Sequence, residues 1–250
     1  MRRQSFSVAH EVSPRRGHQY GQLLANLVLR VRRRRWPQLF VVITRILLAF
    51  AFVPAGLKKV LYQPFTDPQH TGVFHEFLHA FYATGAFYQF VGAVQLFGAL
   101  LLLSQRFAAA GAFIFTPILT VIMVFCWSTH VYPTAVVVTL MFLAALGLLL
   151  WDITKLPGLL SSYKGESGVR IAHLPSLVDL KLWAGSGLFV VALYLVTCVA
   201  QGEVYRPKGA ELDTPAFYVF PLMLLSIAVT FIIDEVRYRR AVKSDRLRTA

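Results

Sequence analysis

Six apolar runs constrain what this chain can fold into. They lie at Gln38–Leu61, Phe87–Leu103, Phe107–Trp127, Thr134–Trp151, Leu182–Ala200 and Pro215–Ile233. A run of about 20 apolar residues crosses a bilayer as a helix. Lipid offers no partner for backbone N–H and C=O groups, so each run must close its own hydrogen bonds helically. The expected fold is all-α transmembrane with six helices. Only 15% of the residues are charged and 56% are hydrophobic, whereas a soluble domain carries about a quarter charged residues. Tyr88, Trp127, Tyr132, Trp151 and Trp183 fall near the ends of runs, as an interfacial aromatic belt requires.

The net charge of +13 on a soluble protein would suggest nucleic acid. Here the cations flank apolar runs, so the expected partners are anionic membrane lipids, with no nucleic acid. With the N-terminus inside, the inner segments hold nine Lys and Arg in 1–37, one at Arg106, four in 155–181 and six in 237–248. The outer segments hold only Lys58, Lys59, Arg206 and Lys208. This bias predicts both termini in the cytoplasm. Residues 1–37 do not read as a signal peptide, because the basic region is long and Arg45 interrupts the first apolar run. Leu23, Leu24, Leu27, Val28 and Val31 recur at helical spacing, which predicts a basic amphipathic segment on the inner leaflet.

The longest polar connection, 153–181, divides the spans into a four-helix unit and a C-terminal two-helix hairpin at 182–234. A basic tail, 235–250, follows. The two cysteines, Cys126 and Cys198, exclude a disulfide-rich secreted module. They sit at similar depth at the outer ends of their spans, which makes one disulfide between them a candidate.

Within 38–152 the run "RILLAFAFVPAGLKKV" places Arg45 before an apolar stretch ending in Gly56 and Lys58 or Lys59. "VGAVQLFGALLLLSQRFAAAGA" follows, with Gly92, Gln95, Gly98 and Arg106. Over about residues 40–152 this pattern resembles the DoxX-like family of small bacterial membrane proteins. In that family an acid usually stands where this chain has Gln95. The resemblance implies a compact four-helix bundle in a bacterial inner membrane. Some relatives are membrane subunits of thiosulfate:quinone oxidoreductases or partners of thiol-redox proteins.

Four site candidates follow from the residues. "HEFLH", His75 to His79, has the H-E-x-x-H spacing of zinc proteases. Phe74, Phe77, Leu78 and Phe81 form one apolar stripe beside it, so the rival reading is a short interfacial helix with a solvated polar face. Zinc needs a third ligand beyond His75 and His79, and the next acid after Glu76 is Asp152, on the other side of the membrane. Secondly, His70, His75, His79 and His130 all fall on the outer side, where imidazoles can ligate a metal or haem iron or donate to a quinone carbonyl. Thirdly, Arg45 lies roughly 10 Å into the first span and needs a partner there, with Asp152 or Asp234 placed to pair it. Fourthly, Pro54, Gly56 and Pro117 free backbone groups at membrane depth, which with Gln95 and Lys58 suggests an outward polar pocket. Gly92, Gly98, Gly111, Ala112, Ala144 and Gly147 predict close helix packing.

The functional expectation is a membrane subunit or accessory of a redox system, quinone-linked, with its site toward the outer face and other membrane or redox subunits as partners. The alternative is a non-catalytic structural or assembly subunit of a larger complex. A small-solute transporter and a metalloprotease fit the residues less well. No Walker loop, dinucleotide turn, nucleophile elbow or C-x-x-C occurs, which argues against nucleotide and dithiol chemistry.

Overall fold

The structure is a computed structural model. It describes Val31 and residues 34–67, 69–152, 176–205 and 213–249, with side chains as far as Ser244. The basic segment before Val31 and most of the 153–181 connection lie outside the described residues, and so does the amphipathic reading made for the former.

The described residues are helical, without strands. The first helix, α1, is Arg35–Val60, followed by the short α2, Val73–Ala83. Then come α3 (Ala86–Leu103), α4 (Ala108–Ser128), α5 (Tyr132–Asp152) and α6 (Leu180–Gln201). A 3-10 turn, Pro215–Tyr218, leads into α7, Val219–Thr249. Six helices are long and apolar enough to cross a membrane, all but α2. The chain is thus a multi-pass, all-α membrane protein.

Two helix ends differ from the sequence expectation for physical reasons. Helix α1 begins three residues before Gln38 despite Pro37, because the first-turn N–H groups have no intrahelical partner and Pro loses nothing there. Helix α7 runs on past Ile233 to Thr249. Its charged end is made of good helix formers, and Glu235 accepts from Arg239 Nε at 2.6 Å one turn on.

Helix α1 packs most closely on α3, α3 on α4, α4 on α5, and α5 returns to α1. The expected four-helix bundle is therefore closed. The α6–α7 hairpin docks chiefly on α1. Backbones nearly touch at two seams. A Cβ on Gly92 would stand 2.8 Å from the Gly56 carbonyl oxygen, and one on Gly111 2.8 Å from that of Gly98. In lipid such small-residue seams replace the hydrophobic effect as the source of helix association. Inside the bundle Phe52 stacks on Phe115 at 4.0 Å.

The two ends of the molecule differ. One, here the basic end, holds the start of α1, the α3–α4 turn, the end of α5 and the start of α6. There Arg35 bonds Asp234 at 2.7 Å, pairs with Glu235 and lies over the Tyr238 ring. Asp234 also accepts from the Asp179 amide at 2.9 Å, and Arg237 reaches Asp179 at 2.6 Å. This belt ties the hairpin to the core. The opposite, aromatic end carries Tyr62, Tyr82, Tyr88, Trp127 and Tyr132.

Candidate functional site

Two buried polar centres lie in the core, one at each end. The first, at the aromatic end, is built by the α1–α3 seam. Gly92 has no side chain, so the stem of Lys59 passes across it; a Cβ there would lie 2.5 Å from Lys59 Cβ. Lys59 is consequently only 6% exposed. Its ammonium donates to the Ala55 carbonyl at 3.1 Å. It lies 4.7 Å from the Phe65 ring centre and 5.8 Å from that of Tyr88, so two aromatic faces take part of the role that water gives up. Tyr88 is fully buried and its hydroxyl donates to the Gln63 carbonyl at 2.9 Å. Tyr88, Gly92 and Gln95 follow one face of α3. Gln95 is 2% exposed, and its Oε1 is buried without a hydrogen-bond partner. A buried amide oxygen without a donor costs about 1–3 kcal/mol, so this atom marks a place where a donor is wanted.

Helix α2 roofs this centre. Part of its apolar stripe meets protein: the Phe77 ring centre is 4.4 Å from that of Phe125 and the Phe81 ring centre 5.0 Å from that of Tyr88, while Phe77 stays half exposed. Tyr82 stacks on Tyr62 at 4.6 Å and donates to the Tyr62 carbonyl at 3.3 Å. The left-handed backbone of Gly72 and Gly85, with φ 106° and 60°, turns the chain sharply into and out of α2, a conformation glycine adopts without penalty.

The histidines do not form the expected constellation. His75 Nδ1 lies 2.7 Å from Thr66 Oγ1, and its ring is 4.9 Å from that of His70. His79, one turn on, has a buried Nε2 without a partner. His130 sits exposed in the α4–α5 turn, where its Nδ1 is 3.2 Å from the Tyr132 hydroxyl. Among the described residues no three His, Cys, Asp or Glu side chains converge as a metal site. Among the described residues the H-E-x-x-H spacing therefore has no third ligand of the kind a zinc centre needs, and Glu76 is exposed.

The second centre is at the basic end. Arg45 Nη2 bonds Asp152 Oδ2 at 2.6 Å, and Nη1 donates to Gln105 Oε1 at 3.0 Å. All three residues are at most 2% exposed. Gln105 reaches inward because the α3–α4 turn gives it a left-handed φ of 58°, while Arg106 next to it stays outside over the Phe107 ring. This centre joins α1, the α3–α4 turn and α5. Arg45, also a candidate to hold a ligand or quinone by its residue type, here has its guanidinium bonded to Asp152 and Gln105, across three parts of the bundle.

The remaining candidates separate clearly. Lys59, not Lys58, faces the α1–α3 seam, because Lys59 is three residues from Gly56 and shares its face while Lys58 is turned by about 100°. Asp234, the alternative partner for Arg45, serves Arg35. Cys126 and Cys198 are both buried free thiols, which corrects the disulfide expectation. Helix α4 packs chiefly on α5 and α3, and α6 chiefly on α7 and α1, so the two thiols belong to different seams. Sequence reasoning missed Gln105, Tyr88 and Phe65. Only Gln105 carried a signal, as an uncharged polar residue in a two-helix turn beside a buried cation.

No family model, curated protein or solved structure matches this chain.

Proposed function

We propose that the chain is a membrane subunit or accessory of a redox system and binds a quinone at its aromatic end. One observation carries the reading: a buried cation between two aromatic rings, on the seam whose next polar residue, Gln95, has an unpartnered amide oxygen. These groups suit a quinone. Lys59 and the Gln95 amide N–H would hold its carbonyl oxygens, the rings of Phe65 and Tyr88 would lie against its faces, and Gln95 Oε1 would accept from the quinol hydroxyl. When bound, a quinone supplies two-electron, two-proton chemistry; the electrons come from a partner subunit. Lys59 would hold the ring oxygens and offset the negative charge they carry, and α2 would limit the access of bulk water. The likeness of Arg45, Gly56, Lys58 or Lys59, Gly92, Gly98 and Arg106 to the DoxX-like pattern supports the same reading, with Gln95 departing from the acid usual there. In this proposal the protein sits in a bacterial inner membrane with both termini cytoplasmic, so the aromatic end faces outward.

The test is quinone content. Protein purified from native membranes in mild detergent is extracted with solvent and its quinone quantified. About one quinone per chain is expected, falling at least tenfold in Lys59→Met and in Gln95→Leu. A chain that carries none, and shows no saturable quinone binding after reconstitution, removes the proposal.

A non-catalytic assembly role is favoured by a different feature. Helix α7 projects well past the length of a span, and Arg237 and Arg239 on it are 59% and 78% exposed. Purification within a large assembly that holds no quinone would favour this second reading.

A further inference from the structure

The α6–α7 hairpin is open along one side. A groove of about 570 Å³ runs between the two helices, walled by Phe189 and the apolar edge of α6 on one side and by Leu222, Leu225 and Val229 on the other. Gly185 leaves the α6 wall low, since a Cβ there would meet nothing within 4 Å. The floor is Ser186 and Thr230, whose hydroxyls bond each other at 2.9 Å, while Thr230 also donates to the Ser226 carbonyl. The floor's polar groups are thus engaged within the protein, and the groove offers apolar walls.

Its position in the fold indicates what fills it. Both helices are membrane spans. From Lys181 to Phe189 the groove descends about 12 Å, close to the roughly 15 Å of one leaflet's hydrocarbon. Its mouth lies at the basic end. There each neighbouring carboxylate is already claimed: Asp179 by Arg237, Asp234 by Arg35, and Glu235 by Arg35 and Arg239. Lys181, exposed at the mouth, enters no ion pair among the described residues. An apolar slot one leaflet deep, with surplus positive charge at the headgroup level, is complementary to one kind of molecule.

We infer that this groove is a binding site for a single anionic phospholipid of the leaflet facing the basic end, with one acyl chain between α6 and α7 and its phosphate at Lys181. A helix from a second copy or another protein is the competing occupant. The lipid is favoured because no polar group in the slot awaits a partner helix, whereas Lys181 awaits an anion.

Native mass spectrometry of the full chain in detergent tests this, using palmitoyl-oleoyl phosphatidylglycerol and phosphatidylcholine as probes. One phosphatidylglycerol should be retained at a concentration about fivefold below that needed for phosphatidylcholine, the preference one lysine gives at a membrane surface. Lys181→Gln should erase that preference and leave binding at the phosphatidylcholine level. Gly185→Phe should fill the slot and weaken both lipids at least tenfold, with helicity and melting unchanged. If Gly185→Phe does not fold, Leu225→Trp, on the exposed opposite wall, takes its place. Equal retention of both lipids by the unaltered chain overturns the inference. So does a groove-filling variant that holds phosphatidylglycerol as well as the original, or an unaltered chain that is a lipid-free dimer and becomes monomeric on filling the slot.

Discussion

Arg45 and Asp152 have each given up almost all contact with solvent, so each charge depends on the other. Removing one partner from such a pair costs about 3–5 kcal/mol, while replacing both by apolar side chains can cost far less. Arg45→Leu and Asp152→Leu should therefore each be strongly destabilising, and the double variant should melt closer to the original protein than either. Thermal unfolding of the four proteins in one detergent checks this; additive single effects would show that the pair is not coupled. This contact was legible in the sequence, because a lone cation inside a span must find an anion at its own depth and Asp152 ends a span there. The choice between Lys58 and Lys59 was not legible. It depends on the rotational phase of α1 against α3, which is set by where Gly56 meets Gly92.

Among the elements, glycines that look alike in sequence do different work. Gly92 lies against the backbone of α1, and any Cβ there forces the helices apart. Gly147 was expected to allow close approach as well, but a Cβ on it meets nothing within 4 Å. Gly92→Ala should thus cost about 1–3 kcal/mol through overpacking. Gly147→Ala should be neutral or stabilising by up to about 1 kcal/mol, the helix-propensity difference. Melting temperatures of the two variants decide the matter, and equal shifts would contradict the seam. Runs of small residues disclose that helices approach; only the fold discloses which residue is at the point of contact.

The start of α6 adds a pH dependence. Asp179 caps it, accepting from the Leu182 and Lys181 amides at 3.1 and 3.2 Å. The Leu182 N–H, then the Arg237 bond and charge, and then the Lys181 N–H hold its carboxyl below the usual carboxylate range, against the opposing effect of burial. The folded protein therefore binds this proton less readily than the unfolded chain. The cap's contribution is complete above the ordinary aspartate pKa of about 4, and it is lost as pH falls through the lowered folded value. Asp179→Ala should cost about 1 kcal/mol at neutral pH. That deficit should shrink on acidification; one that stays constant down to pH 2 would mean the carboxylate is not the source.

On the scale of the whole molecule, the six spans could be read from hydropathy because lipid forces helices. Their order of packing could not, because apolar side chains do not specify neighbours in an apolar solvent. The basic belt of Arg35, Asp234, Asp179 and Arg237 joins residues nearly 200 apart in sequence, beyond the reach of local pattern. Orientation rests on charge alone. A periplasm-active reporter should work when fused after Gly209 and fail after Ala250; activity at Ala250 alone would invert the orientation, and activity at both sites would break the six-span topology.

The Arg45–Asp152 bond also carries a history. The two residues stand 107 positions apart, and the ribosome emits them in that order. Between those moments the rest of α1 and three further spans emerge, while Arg45 has yet to meet the carboxylate it pairs with. Within α1, Arg45 therefore waits for α5, and Arg35 waits longer still, for Asp234 on α7. A chain stopped after Ser128 would be caught in that interval. It should be cleared by membrane quality control faster than the same truncation carrying Arg45→Leu, and pulse-chase half-lives compare the two directly. Equal half-lives would mean that the nascent chain satisfies Arg45 in some other way.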